Sequence, residues 1–245
     1  MTWSILAVDP NSGALAAAAA TQAFACGSFV PFVRAGVGAV ATQSITNRYL
    51  GPATLDGLAR GLSPKLALAS ALAGDVGKHI RQVHVVSPSG DHSAWTGANC
   101  VEWCGALGAQ GVSVAGNMLV SERVAAATLQ GFNADPAAEL PERLMAALEA
   151  GEAAGGDRRG RRSAAMVMAS SEDFPDLSLR VDDHADPLSE LSRLLEIWRT
   201  ERAPSLIHSP SKSNPAGRCD LEEIESEWIA RGLEIRFRRA PQTQG

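Results

Sequence analysis

Hydrophobic and polar positions change their spacing several times along the chain, and each change predicts a new element. The first apolar run, Ser4–Val8, ends in the turn-forming residues Asp9–Gly13. The Ala-rich segment Ala14–Phe24 then follows. Alanine favours helix by intrinsic propensity. This segment, however, is entered through a glycine turn directly after a strand and has no helix cap, so we predict the second arm of a hairpin.

The rest of the pattern predicts further strands and five helices. The strands are expected at Gly36–Ser44, Gln82–Ser87, His92–Thr96, Gly111–Ala115, Ala164–Ala169 and Leu177–Val181. The helices are expected at Gly51–Gly61, from Pro64 onward with Ser63 as N-cap, at Ser121–Gln130, Ala138–Ala150 and Pro187–Arg199. Runs of antiparallel strands therefore alternate with pairs of helices. This order predicts an α/β (α+β) fold in which two sheets are layered between helices.

The last part of the chain differs in character from the rest. Within residues 200–245, the Pro/Ser-rich stretch "APSLIHSPSKSNPAG" at 203–217 predicts a linker. The amphipathic stretch "LEEIESEWIARGLEIRFRR" follows. It predicts a peripheral helix and strand, or alternatively a flexible tail with one packed turn. We therefore expect one domain at residues 1–199 and a linker with a peripheral extension at 200–245.

Composition and charge exclude several classes of protein. The 245 residues are 45% hydrophobic and carry a formal net charge of −5 spread along the chain. No broad basic face therefore points to nucleic acid. No stretch approaches the ~20 apolar residues of a membrane span. The N-terminus lacks the positive region of a signal peptide, and Asp9–Pro10 interrupts its apolar run. We expect a cytoplasmic protein without nucleic-acid or membrane partners.

The motifs of common cofactors and metals are also missing from the sequence. We find no dinucleotide fingerprint, no P-loop and no G-x-S-x-G elbow. Cys100 and Cys104 are separated by three residues, whereas a zinc site would need a second pair of ligands close by. We expect ordinary reduced thiols, no metal and no cofactor.

Several stretches resemble the uncharacterised family DUF1028, which belongs to the N-terminal nucleophile (Ntn) hydrolase superfamily. They are "TWSILAVDPNSG", "GVGAVATQS", "HVVSPSGDHSAWTG", "AGNML" and "EAGEAAGGDRRGRRSAA". The resemblance implies a four-layer αββα sandwich with the nucleophile at the start of the first strand. It extends loosely to proteasome β-type subunits, which carry a late Asp-x-x-Ser/Gly turn before an apolar strand. Here that turn corresponds to Asp157–Gly160, with Ser163 following.

The resemblance implies that Thr2 is the nucleophile of an amidohydrolase, exposed when Met1 is removed. A hydroxyl needs a base to take its proton. A free α-amine titrates near ~7.7–8.0 and can serve as that base on the same residue. From the residue alone, Thr2 would be interpreted as an exposed second residue without a role, and the strand after it and the resemblance reverse that interpretation. The expected substrate is a small amide or peptide-like molecule, cleaved through an acyl-enzyme without metal or cofactor.

Further site residues follow from strand ends and from the resemblance. Thr42 and Gln43 end a buried strand. The resemblance implies that this strand lies beside the nucleophile, that Asn117 holds the oxyanion or the amine, and that Asp157 orients the Thr2 amine. Each has a plain alternative: a strand-end hydrogen-bonding cluster, an ordinary Gly-Asn turn, and a solvated charged loop. The candidate substrate-binding residues are Thr21, Gln22, Ser44, Arg34, Arg48 and Arg158, the arginines because a guanidinium binds a carboxylate with two hydrogen bonds.

Two other functions fit the sequence. One is a catalytically silent Ntn fold that acts in binding or assembly. The other is a structural or adhesin-like protein, which only the Ala/Gly/Thr-rich hairpins favour. Related folds commonly pair through their helical layers, so a homo-oligomer is compatible with the sequence.

Overall fold

The apolar runs form ten strands in a computed structural model that describes residues 2–232. All neighbouring strands are antiparallel. They form a six-stranded sheet in the order β10-β9-β2-β1-β8-β7 and a four-stranded sheet in the order β3-β4-β5-β6. The strands are β1 Thr2–Val8, β2 Leu15–Thr21, β3 Pro31–Arg34, β4 Gly38–Ser44, β5 Arg81–Val86, β6 His92–Thr96, β7 Gly105–Ala109, β8 Val112–Asn117, β9 Ser163–Ala169 and β10 Leu177–Val181.

Helix pairs cover the outer faces of both sheets. The α-helices of the described residues are α1 Leu50–Ala59, α2 Pro64–Ala73, α3 Arg123–Asn133, α4 Leu140–Ala153, α5 Pro187–Ile197 and α6 Leu221–Ala230. Helices α1 and α2 pack on the four-stranded sheet, and α3 and α4 pack on the six-stranded sheet. The two sheets contact each other through β1, β2, β4, β5 and β8. The predicted α+β sandwich with two sheets between helices is confirmed.

The Ala-rich segment forms strand β2, as the hairpin prediction required. Its register pairs Trp3 with Ala20 and Val8 with Leu15. Every residue of β2 is buried, because β1 and β9 flank it within the sheet and other layers cover both faces. Ala17 and Ala19 pack in the core between the sheets together with Ala39 of β4. Small side chains let the two sheets approach closely, and this tertiary packing outweighs the helical propensity of alanine.

Three predictions about the strands need correction. Strands β3 and β7 were not predicted, and each lies at the edge of its sheet. Both are short, one begins at Pro31 and the other contains two glycines, so neither shows a clear apolar alternation. Strand β8 extends to Asn117, two residues beyond the predicted Ala115. The Gly-Asn pair is therefore the end of a strand, and the alternative of an ordinary turn is wrong.

The chain divides into two compact units, Met1–Arg193 and Leu194–Gly245. In the second unit, Trp198–Arg202 and Ala203–His208 form short helical segments where the sequence predicted the start of a linker. Helix α6 occupies the first half of the amphipathic stretch. The strand expected after it lies at residues 233–245, outside the described residues. Across 2–232, no helix combines the length and the apolar character needed to cross a bilayer.

Candidate active site

Thr2 is the first residue of β1, a strand inside the six-stranded sheet. It pairs with Asn117 of β8 on one side, and Thr21 ends β2 on the other. Thr2 is only 3% exposed. Side chains alternate along a strand, so Thr2 lies on the same face as Ser4. The Ser4 hydroxyl contacts residues of the second sheet, which means that both side chains face the space between the sheets.

A cluster of three buried amide side chains lies at this end of the space between the sheets. The Oε1 of Gln82 accepts hydrogen bonds from Gln43 Nε2 at 2.8 Å and from Asn117 Nδ2 at 3.0 Å. The Nε2 of Gln82 donates to the Gly116 carbonyl at 2.8 Å and also lies within bonding distance of the Gly105 carbonyl and Thr96 Oγ1. Gln82 therefore fixes the orientation of two amides that the sequence assigned to the site.

The amide cluster reaches Thr2 directly through Gln43. The Nε2 of Gln43 lies 3.5 Å from the Thr2 carbonyl oxygen, and the Oε1 of Gln43 accepts a 2.7 Å hydrogen bond from the Ser4 hydroxyl. A carboxamide nitrogen carries two protons. Gln43 uses one of them to bind Gln82 and the other to bind the Thr2 carbonyl, whereas Asn117 uses one to bind Gln82 and keeps a second donor beside the start of β1.

His84 extends the polar network along the inner face of the second sheet. Its Nε2 is 2.9 Å from Ser4 Oγ and its Nδ1 is 2.9 Å from Ser113 Oγ. Because Ser4 donates its only proton to Gln43, the imidazole must donate from Nε2 and accept from Ser113 at Nδ1. Complete burial, with a smaller contribution from His92, lowers the pKa of His84 to about 3. The imidazole is therefore neutral at physiological pH.

The predicted Asp157 turn also lies at this end of the fold. The Asp157 carboxylate is fully buried and accepts hydrogen bonds from the Gln22 backbone N–H at 3.1 Å and the Arg159 backbone N–H at 2.9 Å. The Arg159 guanidinium forms an ion pair with it at 3.2 Å. Asp157 also forms an isolated bridge with Leu119, two residues beyond Asn117. These bonds fix the turn against the ends of β2 and β8, on either side of Thr2.

Thr42 and Ser44, two other predicted site residues, lie near the end of β4. Alternation places the Thr42 side chain on the helix-facing side of β4, where its Oγ1 donates to the Asn47 carbonyl. The backbone N–H of Thr42 is bonded to the Val30 carbonyl. Gln43, rather than Thr42, is thus the residue of this strand that the fold brings to Thr2. Ser44 follows with a φ of +72°, at the point where the chain leaves the sheet.

The three predicted arginines are not brought together. Arg34 pairs with Gly38 at the opposite end of β4 and forms an ion pair with Asp56 at 2.9 Å. Arg48 is exposed on the loop that follows β4. Arg158 is exposed on the Asp157 turn. Arg48 and Arg158 are therefore at the Thr2 end of the sandwich, whereas Arg34 is remote from Thr2.

Sequence reasoning missed four residues of the buried network: Ser4, Gln82, His84 and Ser113. Gln82 and His84 alternate with Val83 and Val85 on a strand that is buried from Gln82 to Val86. Polar side chains at inward positions of such a strand must find hydrogen-bond partners, so this alternation was the feature that could have identified them. Within residues 2–232, no group of three or more His, Cys, Asp and Glu side chains is arranged to hold a metal ion.

Comparison with known proteins finds a matching family and a similar solved structure. A family model described as "Family of unknown function (DUF1028)" matches residues 2–191. The crystal structure of protein SPO2555 from Silicibacter pomeroyi, assigned to the DUF1028 model, is similar with a TM-score of 0.83 and 31% sequence identity. That similarity covers 89% of this chain and 96% of the other. No curated protein matches the chain.

Proposed function

Because the chain belongs to the DUF1028 family, whose function is unknown, we propose an activity from the arrangement around Thr2. The protein is an Ntn-type amidohydrolase that cleaves a small amide or peptide-like bond, with Thr2 as its nucleophile after removal of Met1. One observation carries the proposal. Thr2 begins an interior strand beside two buried amides, Gln43 and Asn117, that a third amide holds in place.

The proposed reaction uses only groups of Thr2 and water. The Thr2 hydroxyl attacks the amide carbonyl while its proton passes to the free α-amine. That ammonium then protonates the leaving nitrogen as the C–N bond breaks, which leaves the acyl group as an ester on Thr2. Water hydrolyses the ester and restores the hydroxyl. An α-amine still joined to Met1 is an amide and cannot act as the base.

The amide cluster supplies what the tetrahedral intermediate requires. Its oxyanion needs hydrogen-bond donors fixed in advance, and loss of one such donor typically costs ~10²–10³ in rate. We assign this task to the second proton of Asn117 Nδ2. Gln82 positions this donor through its Oε1, and Gln43, bonded to the same oxygen, holds the Thr2 backbone through the Thr2 carbonyl. Asp157 has a positioning role through Gln22, at the end of the strand beside Thr2.

The test combines intact-mass measurement with acylation by a β-lactone. The protein is purified from a bacterial host, and its mass is expected to lack one Met residue. Attack by Thr2 opens the lactone ring, and the α-amine transfers the hydroxyl proton to the ring oxygen, so the protein gains the full mass of the lactone. Thr2→Ala is expected to abolish the adduct, and Thr2→Ser to retain it. Quantitative retention of Met1 would rule out this mechanism.

A second candidate function is a catalytically silent fold used in binding, and one observation favours it. A cleft with a volume of about 300 Å³ lies at the end of the sandwich away from Thr2, lined in part by Arg34, Ala169 and Phe174. If this cleft carries the function, Arg34→Ala will impair the protein in its host while Thr2→Ala leaves it unaffected. The hydrolase predicts the opposite result for both variants.

A further inference from the structure

Four arginines follow Asp157 within five residues, and three of them have acidic partners. Arg159 forms an ion pair with Asp157 at 3.2 Å. Arg161 contacts Glu152 and lies 3.2 Å from Asp186. Arg162 forms an ion pair with Asp183 at 2.7 Å. Three of the four guanidinium groups are thus paired with carboxylates, and these ion pairs explain where the three arginines lie.

Arg158 is the exception in this run. It is exposed, and within residues 2–232 no ion pair involves it. Its backbone N–H donates to the Met118 carbonyl at 3.4 Å, directly after Asn117. Arg158 is therefore held one residue from the buried Asp157 and at the end of the strand that pairs with Thr2. The turn fixes the backbone of this arginine but leaves its guanidinium available.

Apolar side chains surround the backbone segments to which this turn is bonded. Val120 is 55% exposed, and its N–H donates to the Gly156 carbonyl. Val101 is 42% exposed, and its carbonyl accepts from Met118. Phe24, 58% exposed, lies three residues beyond Thr21. The exposed surface around the Asp157 turn thus combines the guanidinium of Arg158 with three large apolar side chains.

We propose that the substrate is an N-acylated amino acid, whose carboxylate binds Arg158 and whose acyl chain packs on the apolar surface formed by Val101, Val120 and Phe24. This inference rests on the proposed function, since it places the scissile amide at Thr2. A guanidinium binds a carboxylate through two parallel hydrogen bonds. Glu102 and Glu122 are also exposed on the loops at this end. Recognition therefore depends on the position of Arg158 rather than on a general positive field.

Binding to a variant that cannot turn over substrate tests this inference separately from catalysis. The full chain carrying Thr2→Ala is titrated with N-hexanoylglycine and with N-hexanoylglycinamide, which differ only in the carboxylate. We expect the acid to bind at least about tenfold more tightly than the amide, as one charge-assisted contact allows. Adding Arg158→Met is expected to remove that difference and leave the affinity for the neutral amide unchanged.

Arg60→Met is the matched control. Arg60 is also exposed, but it follows α1, whose ten residues carry it about 15 Å along the helix from the Thr2 end. This variant is expected to keep the preference for the acid. Equal affinities for acid and amide, no binding of either at millimolar concentration, or loss of the preference in Arg60→Met would each overturn the inference. A protein that binds the acid selectively but is never acylated at Thr2 would instead contradict the proposed hydrolase.

Discussion

His84 is an imidazole held neutral in the space between the two sheets. Burial lowers its pKa in the folded protein from 6.5 to about 3. Below pH 6.5 the unfolded chain therefore binds a proton that the folded protein does not bind. The stabilisation is complete above pH 6.5 and is lost as the pH falls toward 3, by about 1.4 kcal/mol per pH unit. This one group should lower the free energy of unfolding by about 2 kcal/mol between pH 7 and pH 5.

Urea denaturation of the native protein and of His84→Gln at both pH values isolates this contribution. Glutamine keeps one donor and one acceptor for Ser4 and Ser113 but does not titrate. The variant is expected to be less stable at pH 7, yet to lose about 2 kcal/mol less on acidification. Identical pH dependence in the two proteins would mean that His84 is protonated in the folded state.

At the residue scale, the sequence predicted the candidate residues at strand ends better than the buried residue that holds them together. Thr2, Gln43 and Asn117 were predicted because they lie at strand ends or match a family pattern. Gln82 was not, because its role depends on a register between strands far apart in the chain: its partners are 39 and 35 residues away. Thr42 and Gln43 could not be separated until the inward face of β4 was known.

At the element scale, the strands in the interior of each sheet were predicted, whereas two of the four edge strands, β3 and β7, were not. The apolar runs of β5 and β9 predict strands, and such runs occur because both faces of these two strands are largely covered. Strands β3 and β7 are only four and five residues long, and none of their residues is buried. Strand β6 also has no buried residue, but the Pro88–Asp91 turn before it predicts the hairpin. An edge strand without such a signature is stabilised by pairing with one neighbour, and its own sequence does not show that pairing.

The contact between α3 and α4 depends on Gly131. A Cβ built on this residue would lie 2.6 Å from the Ala146 carbonyl oxygen and 2.7 Å from the Ala150 Cβ. Gly131→Ala must therefore push the two helices apart, which typically costs 1–3 kcal/mol. The gain in helix propensity offsets up to about 1 kcal/mol of this cost. We expect a net loss of about 1–2 kcal/mol in the free energy of unfolding, measured by urea denaturation.

Gly74→Ala is the control for this substitution. Gly74 caps α2 with a φ of −92°, and a Cβ on it would meet nothing within 4 Å. Its replacement is expected to change the free energy of unfolding by no more than about 0.5 kcal/mol. If Gly131→Ala were equally neutral, the helices could separate without cost, and the close approach of α3 and α4 would not contribute to stability.

At the scale of the whole molecule, the buried apolar side chains are unevenly distributed along the chain. Among residues 2–232, all of those that are buried lie at or before Leu195. Helix α5 contributes Leu188, Leu191 and Leu195 to this set. In the residues that follow, His208 is the buried side chain, and it is polar. Hydrophobic burial is the main favourable contribution to folding, so the stability of the fold should depend on α5 and much less on the residues after it.

Truncation on either side of α5 tests this expectation. A chain ending at Arg199 keeps the helix and is expected to unfold cooperatively, with a Tm within about 4 °C of the full chain. A chain ending at Asp186 lacks three buried leucines, each of which typically contributes 2–5 kcal/mol, and is not expected to fold stably. Thermal unfolding followed by circular dichroism compares the two. If the chain ending at Arg199 also fails to fold, the residues after it are part of the folding unit, and the boundary predicted at 199/200 is wrong.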